Sequence, residues 1–244
     1  MITAYHRPKT LDEALALLAQ PNTLPLGGGT LLSQPTTDSV HAVDLQLLGL
    51  DSLRVNGNSL ELGATLTLQS LLESEYCPSA LKSALKLEAP LNIRNSATVA
   101  GALVSCDGRS TLGTILLALD AKITVISDQS SVISAGEFLP LRPRGLITLI
   151  SIPLNVKLAF EYVSRTPADK PIVCVALAQW NSGRTRLAVG GFGKSPMLAM
   201  DGTASDDVST AARNAFHEAT DDYGSAEYRM DVASTLAKRC VEVQ

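Results

Sequence analysis

Three consecutive glycines, Gly27, Gly28 and Gly29, stand between the apolar runs LPL and TLL. Glycine weakens both helix and strand interiors, so the chain must leave regular geometry at this point. Either the run makes a plain sharp turn, or its backbone lies against something that a Cβ would hold away. A second stretch, IRNSATVAGAL at 93–103, is also built from small residues and also leads into an apolar run. Two such loops can aim several backbone N–H groups at one anion without any side-chain cation. A phosphate is therefore the chemical candidate. Either loop alone is most simply a turn; their joint presence and order carry the reading.

The remainder of the chain removes competing chemistries. With 244 residues, 45% apolar and 18% charged, it can build one large domain or two modest ones. No window approaches the twenty apolar residues of a membrane span, and the opening MITAYHRPKT lacks a secretory core. A cytoplasmic protein is the expectation. The net charge of -4 is spread over both signs without a basic stripe, which argues against nucleic acid. Cys77, Cys106, Cys174 and Cys240 stand singly, and only three histidines exist, so no zinc or iron–sulfur spacing is present. The run GGFGKS at 190–195 imitates the end of a P-loop, but Ala188 replaces the required glycine and Pro196 follows at once. Neither a GxSxG nucleophile elbow nor a Rossmann spacing occurs. No catalytic side-chain constellation and no metal site are expected.

Local patterns divide the chain near residue 155. Leu11, Ala14, Leu15 and Leu18 share a helical face, with Thr10 as N-cap and Glu13 as its capping-box partner. Segments 40–45 and 59–68 read as strands, the second preceded by the turn NGN at 56–58. Helices are expected over 67–74 and 79–89, and a buried helix running into a strand over 111–127. A strand over 145–154 should end at Pro153. From about 157, AFEYVSR, PIVCVALAQW and TRLAVGGFG follow as strands, then helices over 205–220 and 226–243. Strands followed by helices describe an α+β unit.

With these segments laid out, the sequence resembles the flavin-binding medium subunit of the molybdenum hydroxylases. That group includes the carbon monoxide dehydrogenase medium chain and the flavin domain of xanthine dehydrogenase. YHRPKTLDEALALLA resembles the family opening, and LGGGTLL its AGGTDL pyrophosphate loop. VDLQLLGLDSL and LELGATLTLQSLL are similar to the next two segments. LNIRNSATVAGALV resembles QIRNxATIGGNLA, and GSAEYRMDVASTLAKR resembles the GSAxYRRxLAxVL helix. The joint order of GGT, IRNxAT and SAEYR is the specific part of the likeness.

The resemblance implies an α+β protein: a two-part flavin-binding domain over 1–155, with parts of about 1–54 and 55–155, and a C-terminal α+β domain over 156–244 with an antiparallel sheet and helices. FAD is the implied cofactor. Its pyrophosphate would lie against Gly28, Gly29, Thr30 and the second loop at Thr98, Val99, Ala100 and Gly101, with Gly27 and Leu31 also in the cofactor site. Asp107 would either contact a ribose hydroxyl or serve only as a turn residue before Gly108, and Leu146 and Tyr162 would complete the cofactor site. The implied partners are a molybdopterin-binding large subunit and a [2Fe-2S] small subunit. Electrons would pass from the iron–sulfur partner through flavin to NAD or another acceptor. The chain alone would then be an oxidoreductase subunit without activity on substrate.

Several positions depart from the family pattern. Ala100 replaces the first glycine of a pair, Ala102 an asparagine, Thr111 an aspartate, Tyr162 a lysine and Leu31 a polar residue. A methyl at 100 would crowd a phosphate. The alternative reading is a flavin-less structural subunit that keeps the fold and the partner surfaces. Arg94 is expected to anchor its turn, and Tyr228 and Arg229 to serve packing.

Overall fold

The computed structural model describes residues 1–35, 37–167, 169–203 and 207–243. The chain begins with β1 (Ile2–His6), α1 (Leu11–Leu18), β2 (Thr23–Leu26) and β3 (Val40–Asp44), which form a parallel sheet in the order β1-β3-β2. Parallel neighbours need crossovers, and α1 supplies the first. Thr10 accepts the Glu13 amide at 3.3 Å, and the Glu13 carboxylate accepts the Lys9 amide at 2.9 Å. Ala42 and Val43 of the central strand are fully buried. The glycine run starts where β2 ends, at the carboxyl edge of this sheet. Open parallel sheets place their ligands outside that edge.

The next elements are β4 (Leu53–Asn56), β5 (Ser59–Gly63), α2 (Leu68–Glu73), α3 (Ser79–Glu88), α4 (Leu91–Arg94), α5 (Val99–Ser105) and α6 (Thr111–Ala118). Then come β6 (Lys122–Ile126), β7 (Ser130–Ser134), α7 (Ala135–Leu141) and β8 (Leu146–Pro153). The strands make an antiparallel sheet in the order β4-β5-β8-β6-β7. The strand expected over 59–68 is shorter than its pattern. It stops at Gly63, whose backbone lies against Leu50 so closely that a Cβ would sit 2.2 Å from the carbonyl oxygen. Thr67 then caps α2 by accepting the Ser70 amide at 3.0 Å. All of α6 is buried, its apolar residues packed in the core and its two threonines satisfied by carbonyl oxygens of Ala84 and Ser110.

A four-stranded antiparallel sheet follows, β12-β11-β10-β9, from β9 (Val156–Val163), β10 (Val173–Trp180), β11 (Thr185–Gly190) and β12 (Met197–Gly202). Side chains alternate across it. Ala176, Ala178 and Ala188 join the N-terminal core, their small size admitting α6. Val175, Leu177, Leu187 and Val189 face the other way, towards α8 (Val208–Asn214) and α9 (Ala226–Glu242). The mixed architecture is α+β, with one parallel and two antiparallel sheets.

The helix expected over 205–220 is reduced to α8. Its expected start at 205 and 206 lies outside the described residues, and Phe216 to Ala219 form turns instead. Those turns are held by Arg229, which is completely buried on α9. Its guanidinium donates to the carbonyls of Ala219, Gly224 (2.7 Å) and Ile172 (3.4 Å) and to the Asp221 carboxylate (2.6 Å). It also stacks over Phe192 at 5.3 Å. Tyr228, one residue earlier, points outward.

Candidate functional site

The two small-residue segments touch. A Cβ on Gly28 would sit 1.6 Å from the Ser96 carbonyl oxygen, and one on Gly27 would sit 2.9 Å from Thr98 Oγ1. Gly29 adopts φ +72°, a left-handed conformation costly for any side chain. Glycine at 27 and 28 is thus required by the neighbouring segment, whatever else the loop binds. Arg94 anchors that segment: it donates to Gln69 Oε1 at 3.0 Å and to the Ala89 carbonyl at 2.7 Å.

The second segment is a helix start, not an open loop, and this corrects the expectation that both segments offer free amides. Thr98 is the N-cap of α5 and accepts the Gly101 amide at 3.1 Å. The Val99 amide donates to Leu66 at 2.9 Å, that of Ala100 to Ala64 at 3.3 Å, and that of Ala102 to Thr98 at 2.8 Å. Every early donor of this helix is therefore engaged within the chain. The first segment differs. Among the described residues, the amides of Gly27, Gly28, Gly29 and Thr30 have no acceptor in the protein. These residues are half-exposed, so their amides are open to water or to a ligand entering the cavity.

Those amides lie between two cavities that share Leu26, Gly27, Gly28, Gly29, Thr65 and Thr98. The larger, of 640 Å³, is polar, with Tyr5, Asp44, Asp51, Thr67, Ser70 and Asn95 in its wall. The smaller, of 240 Å³, is apolar, with Leu24, Leu31, Leu32, Val104, Leu146 and Ile147. No lysine or arginine lines either one, so an anion here would be held by backbone dipoles. Asp44 is buried at the end of β3; it accepts the Gln46 amide at 2.9 Å and the Tyr5 hydroxyl, with Arg7 at 3.4 Å. The hydrogen bond to Asp44, then burial, raises the Tyr5 phenol above its ordinary pKa.

Gly27, Gly28, Gly29, Thr30, Leu31, Thr98, Ala100, Gly101 and Leu146 come together around the apolar cavity. Three expected residues do not. Val99 points wholly into the core. Asp107 lies beyond α5, where it pairs with Lys170 at 3.6 Å and accepts the Arg109 amide at 3.0 Å. Tyr162 sits on β9, 40% exposed, stacked on Phe160 at 5.9 Å. Thr111 is also turned away from both cavities. It is fully buried and donates to the Ala84 carbonyl at 2.7 Å. The acid at the head of α6 is Glu88 of α3, which accepts from Ser110 and Thr111 at 3.0 Å and from the Leu112 amide at 2.8 Å.

Sequence reasoning missed Tyr5, Asp44, Thr65 and Arg142. The signal for Asp44 was its place at the carboxyl end of VHAVD. For Arg142 there was none. Its guanidinium takes the last carbonyls of α5, at 2.6 Å from Leu103, 2.9 Å from Val104 and 2.9 Å from Cys106, and so fixes the helix that carries Thr98 and Ala100. The cysteines are buried; burial pushes the thiols of Cys77, Cys174 and Cys240 up to about 12.

Known proteins resemble this chain over nearly its whole length. Residues 1–155 match the family model described as the FAD binding domain in molybdopterin dehydrogenase. The chain is 28% identical over 245 residues to the uncharacterised protein YgfM of Escherichia coli, covering 97% of this chain and 94% of that one. It is 25% identical over 273 residues to the carbon monoxide dehydrogenase medium chain of Afipia carboxidovorans, covering 98% and 95%. A solved structure of reconstituted CO dehydrogenase from Oligotropha carboxidovorans superposes with a TM-score of 0.83 at 25% identity, over 98% of this chain and 96% of that one. With the family model matching well over half of its length, this chain belongs to the family of FAD-binding domains of molybdopterin dehydrogenases.

Proposed function

We propose that this chain is the cytoplasmic, FAD-binding medium subunit of a molybdopterin-dependent hydroxylase or dehydrogenase complex. In this reading it relays electrons from a [2Fe-2S] small subunit to NAD or another acceptor, while a molybdopterin-binding large subunit performs the chemistry on substrate. The observation that carries the reading is the set of four unpartnered amides, Gly27 to Thr30, standing between an apolar and a polar cavity.

The residues fit a flavin dinucleotide. When bound, FAD supplies the redox chemistry, and the protein's task is to hold and orient it. The glycine run would donate its amides to the pyrophosphate. Thr98, whose Oγ1 accepts the Gly101 amide, keeps its hydroxyl proton for the same anion. Leu31, Leu146 and Ala100 in the apolar cavity would hold an aromatic ring, and the Tyr5–Asp44 pair and Asp51 in the polar one would hold hydroxyl groups. In this scheme residues 1–155 hold the cofactor and residues 156–244 form the covering unit. No helix of the described residues is long and apolar enough to cross a membrane.

A second reading, a flavin-less structural subunit, draws support from the engaged amides of α5 and the methyl of Ala100 at the cavity wall. Purifying a tagged chain from its native cells separates the two. The first reading expects a molybdopterin protein and an iron–sulfur protein in equal amounts, with one flavin per chain that substrate bleaches only in the complex. The same partners without flavin would establish the second reading. A solitary chain with NADH-dependent diaphorase activity would overturn both.

A further inference from the structure

Arg144 and Lys194 form no ion pair or hydrogen bond with any described residue, yet both line one cavity of 410 Å³. Its floor is Val104, Cys106, Phe138 and Ile147. Arg144 comes from the turn between α7 and β8, and Lys194 from the turn between β11 and β12, so the cavity closes only where the two halves of the chain meet. Both turns are fixed. Arg142 is tied to the end of α5 and adopts φ +44°, and Pro143 leads directly into Arg144. Gly193, at φ +81°, precedes Lys194 and accepts the Gly108 amide at 3.0 Å. The GGFGKS run that carries no hydrolase chemistry thus places a cation at a cavity mouth.

We propose that this cavity is a second anion site, separate from the glycine run, which takes the phosphate of a small phosphate-bearing molecule. A guanidinium presents a planar fork to two oxygens and an ammonium adds a compact charge, so the pair matches a dianion. Two features extend the site beyond a surface cluster. The apolar floor suits the uncharged part of the same molecule, and the cavity shares Val104, Gly145 and Ile147 with the apolar cavity beside the glycine run. The Cys106 thiol adds no opposing charge, because burial, against the pull of Arg142, keeps it protonated.

The test titrates the full chain with 5′-AMP and with inorganic phosphate at fixed ionic strength, reading the methyl resonances of Val104 and Ile147. The same titrations are run on the double variant Arg144→Gln/Lys194→Gln, with FAD affinity measured in parallel. Saturable shifts in the wild type should weaken about tenfold or more in the variant, with FAD affinity unchanged. Tighter binding of 5′-AMP than of phosphate identifies a nucleotide-type ligand; equal binding identifies phosphate alone. No saturable shift with either probe, or an affinity kept within about twofold in the variant, overturns the proposal. FAD affinity is read separately, so its absence bears on the flavin reading and not on this site.

Discussion

Gly28→Val should lower FAD affinity by about two to four orders of magnitude while leaving the fold intact. The valine Cβ would start 1.6 Å from the Ser96 carbonyl oxygen, and that oxygen belongs to backbone that cannot rotate away. The glycine run must therefore lift from the second segment, and its amides lose their common aim. A hydrogen bond to a charged group contributes about 1.5–3 kcal/mol, so losing two costs roughly 3–6 kcal/mol. Global unfolding is not expected, because most of the two main cores lies under the antiparallel sheets, although Ala64, Leu66, Ala97 and Ala100 of the first border this loop. Gly49→Ala is the control for backbone strain without a clash: φ is +65° there, and no atom lies within 4 Å of the added methyl, whereas Gly28 has the clash without a left-handed φ. Fluorescence quenching of FAD, with far-UV circular dichroism of each variant, measures both effects. An unchanged affinity in Gly28→Val would remove the glycine run from the cofactor site.

Arg229→Ala should be the most destabilising single change in the C-terminal half, by about 3–5 kcal/mol. The variant leaves the carbonyls of Ala219 and Gly224 and the Asp221 carboxylate without their buried donor. Unpaired buried acceptors cost their full desolvation, which exceeds the net worth of the original bonds. Arg229→Lys should recover only part of the loss, because one ammonium cannot reach acceptors spread around a planar fork. The pH dependence has a definite sign. Burial alone would raise the Asp221 carboxyl, but the Arg229 hydrogen bond and the Tyr223 and Gly224 amides outweigh it and lower its pKa. A lowered carboxyl adds stability above its unfolded value, and that stability is lost as pH falls through the folded value. Urea unfolding of the wild type should therefore weaken on acidification below about pH 4, and the alanine variant should lack this component. A loss under about 1 kcal/mol would mean that neighbouring groups or water replace the guanidinium.

Much of the fold was legible because local chemistry and tertiary context agree. Thr10 caps α1 as expected while Glu13 reaches back to the Lys9 amide, α6 reads as buried because no charge interrupts it, and the Gly57 turn separates β4 from β5. Where the two disagree, the sequence misled. Residues 64–66 keep a strand-like alternation, but contact with Leu50 ends β5 at Gly63. The candidate site was legible as two segments in order, yet the roles of their atoms were not. VAGAL looks like a small-residue loop, and only the positions of the Leu66 and Ala64 carbonyls reveal that its amides are already taken. Asp107 and Thr111 sit close in sequence to the second segment, but α5 carries the chain away before either is reached. Arg142, 36 residues beyond the carbonyl of Cys106 that it holds, could not have been paired with it from spacing.

In the proposed reading the amides of Gly27 to Thr30 hold FAD from one side, with the Thr98 hydroxyl beside them, while the backbone amides of α5 take no part. The most direct measurement of this reading is the amide spectrum of ¹⁵N-glycine-labelled protein during an FAD titration. Saturable downfield shifts are expected at Gly27, Gly28 and Gly29, with Gly101, whose amide stays on Thr98, nearly still. A titration that moves Gly101 but leaves the glycine run in place, or one that moves neither, would contradict the reading.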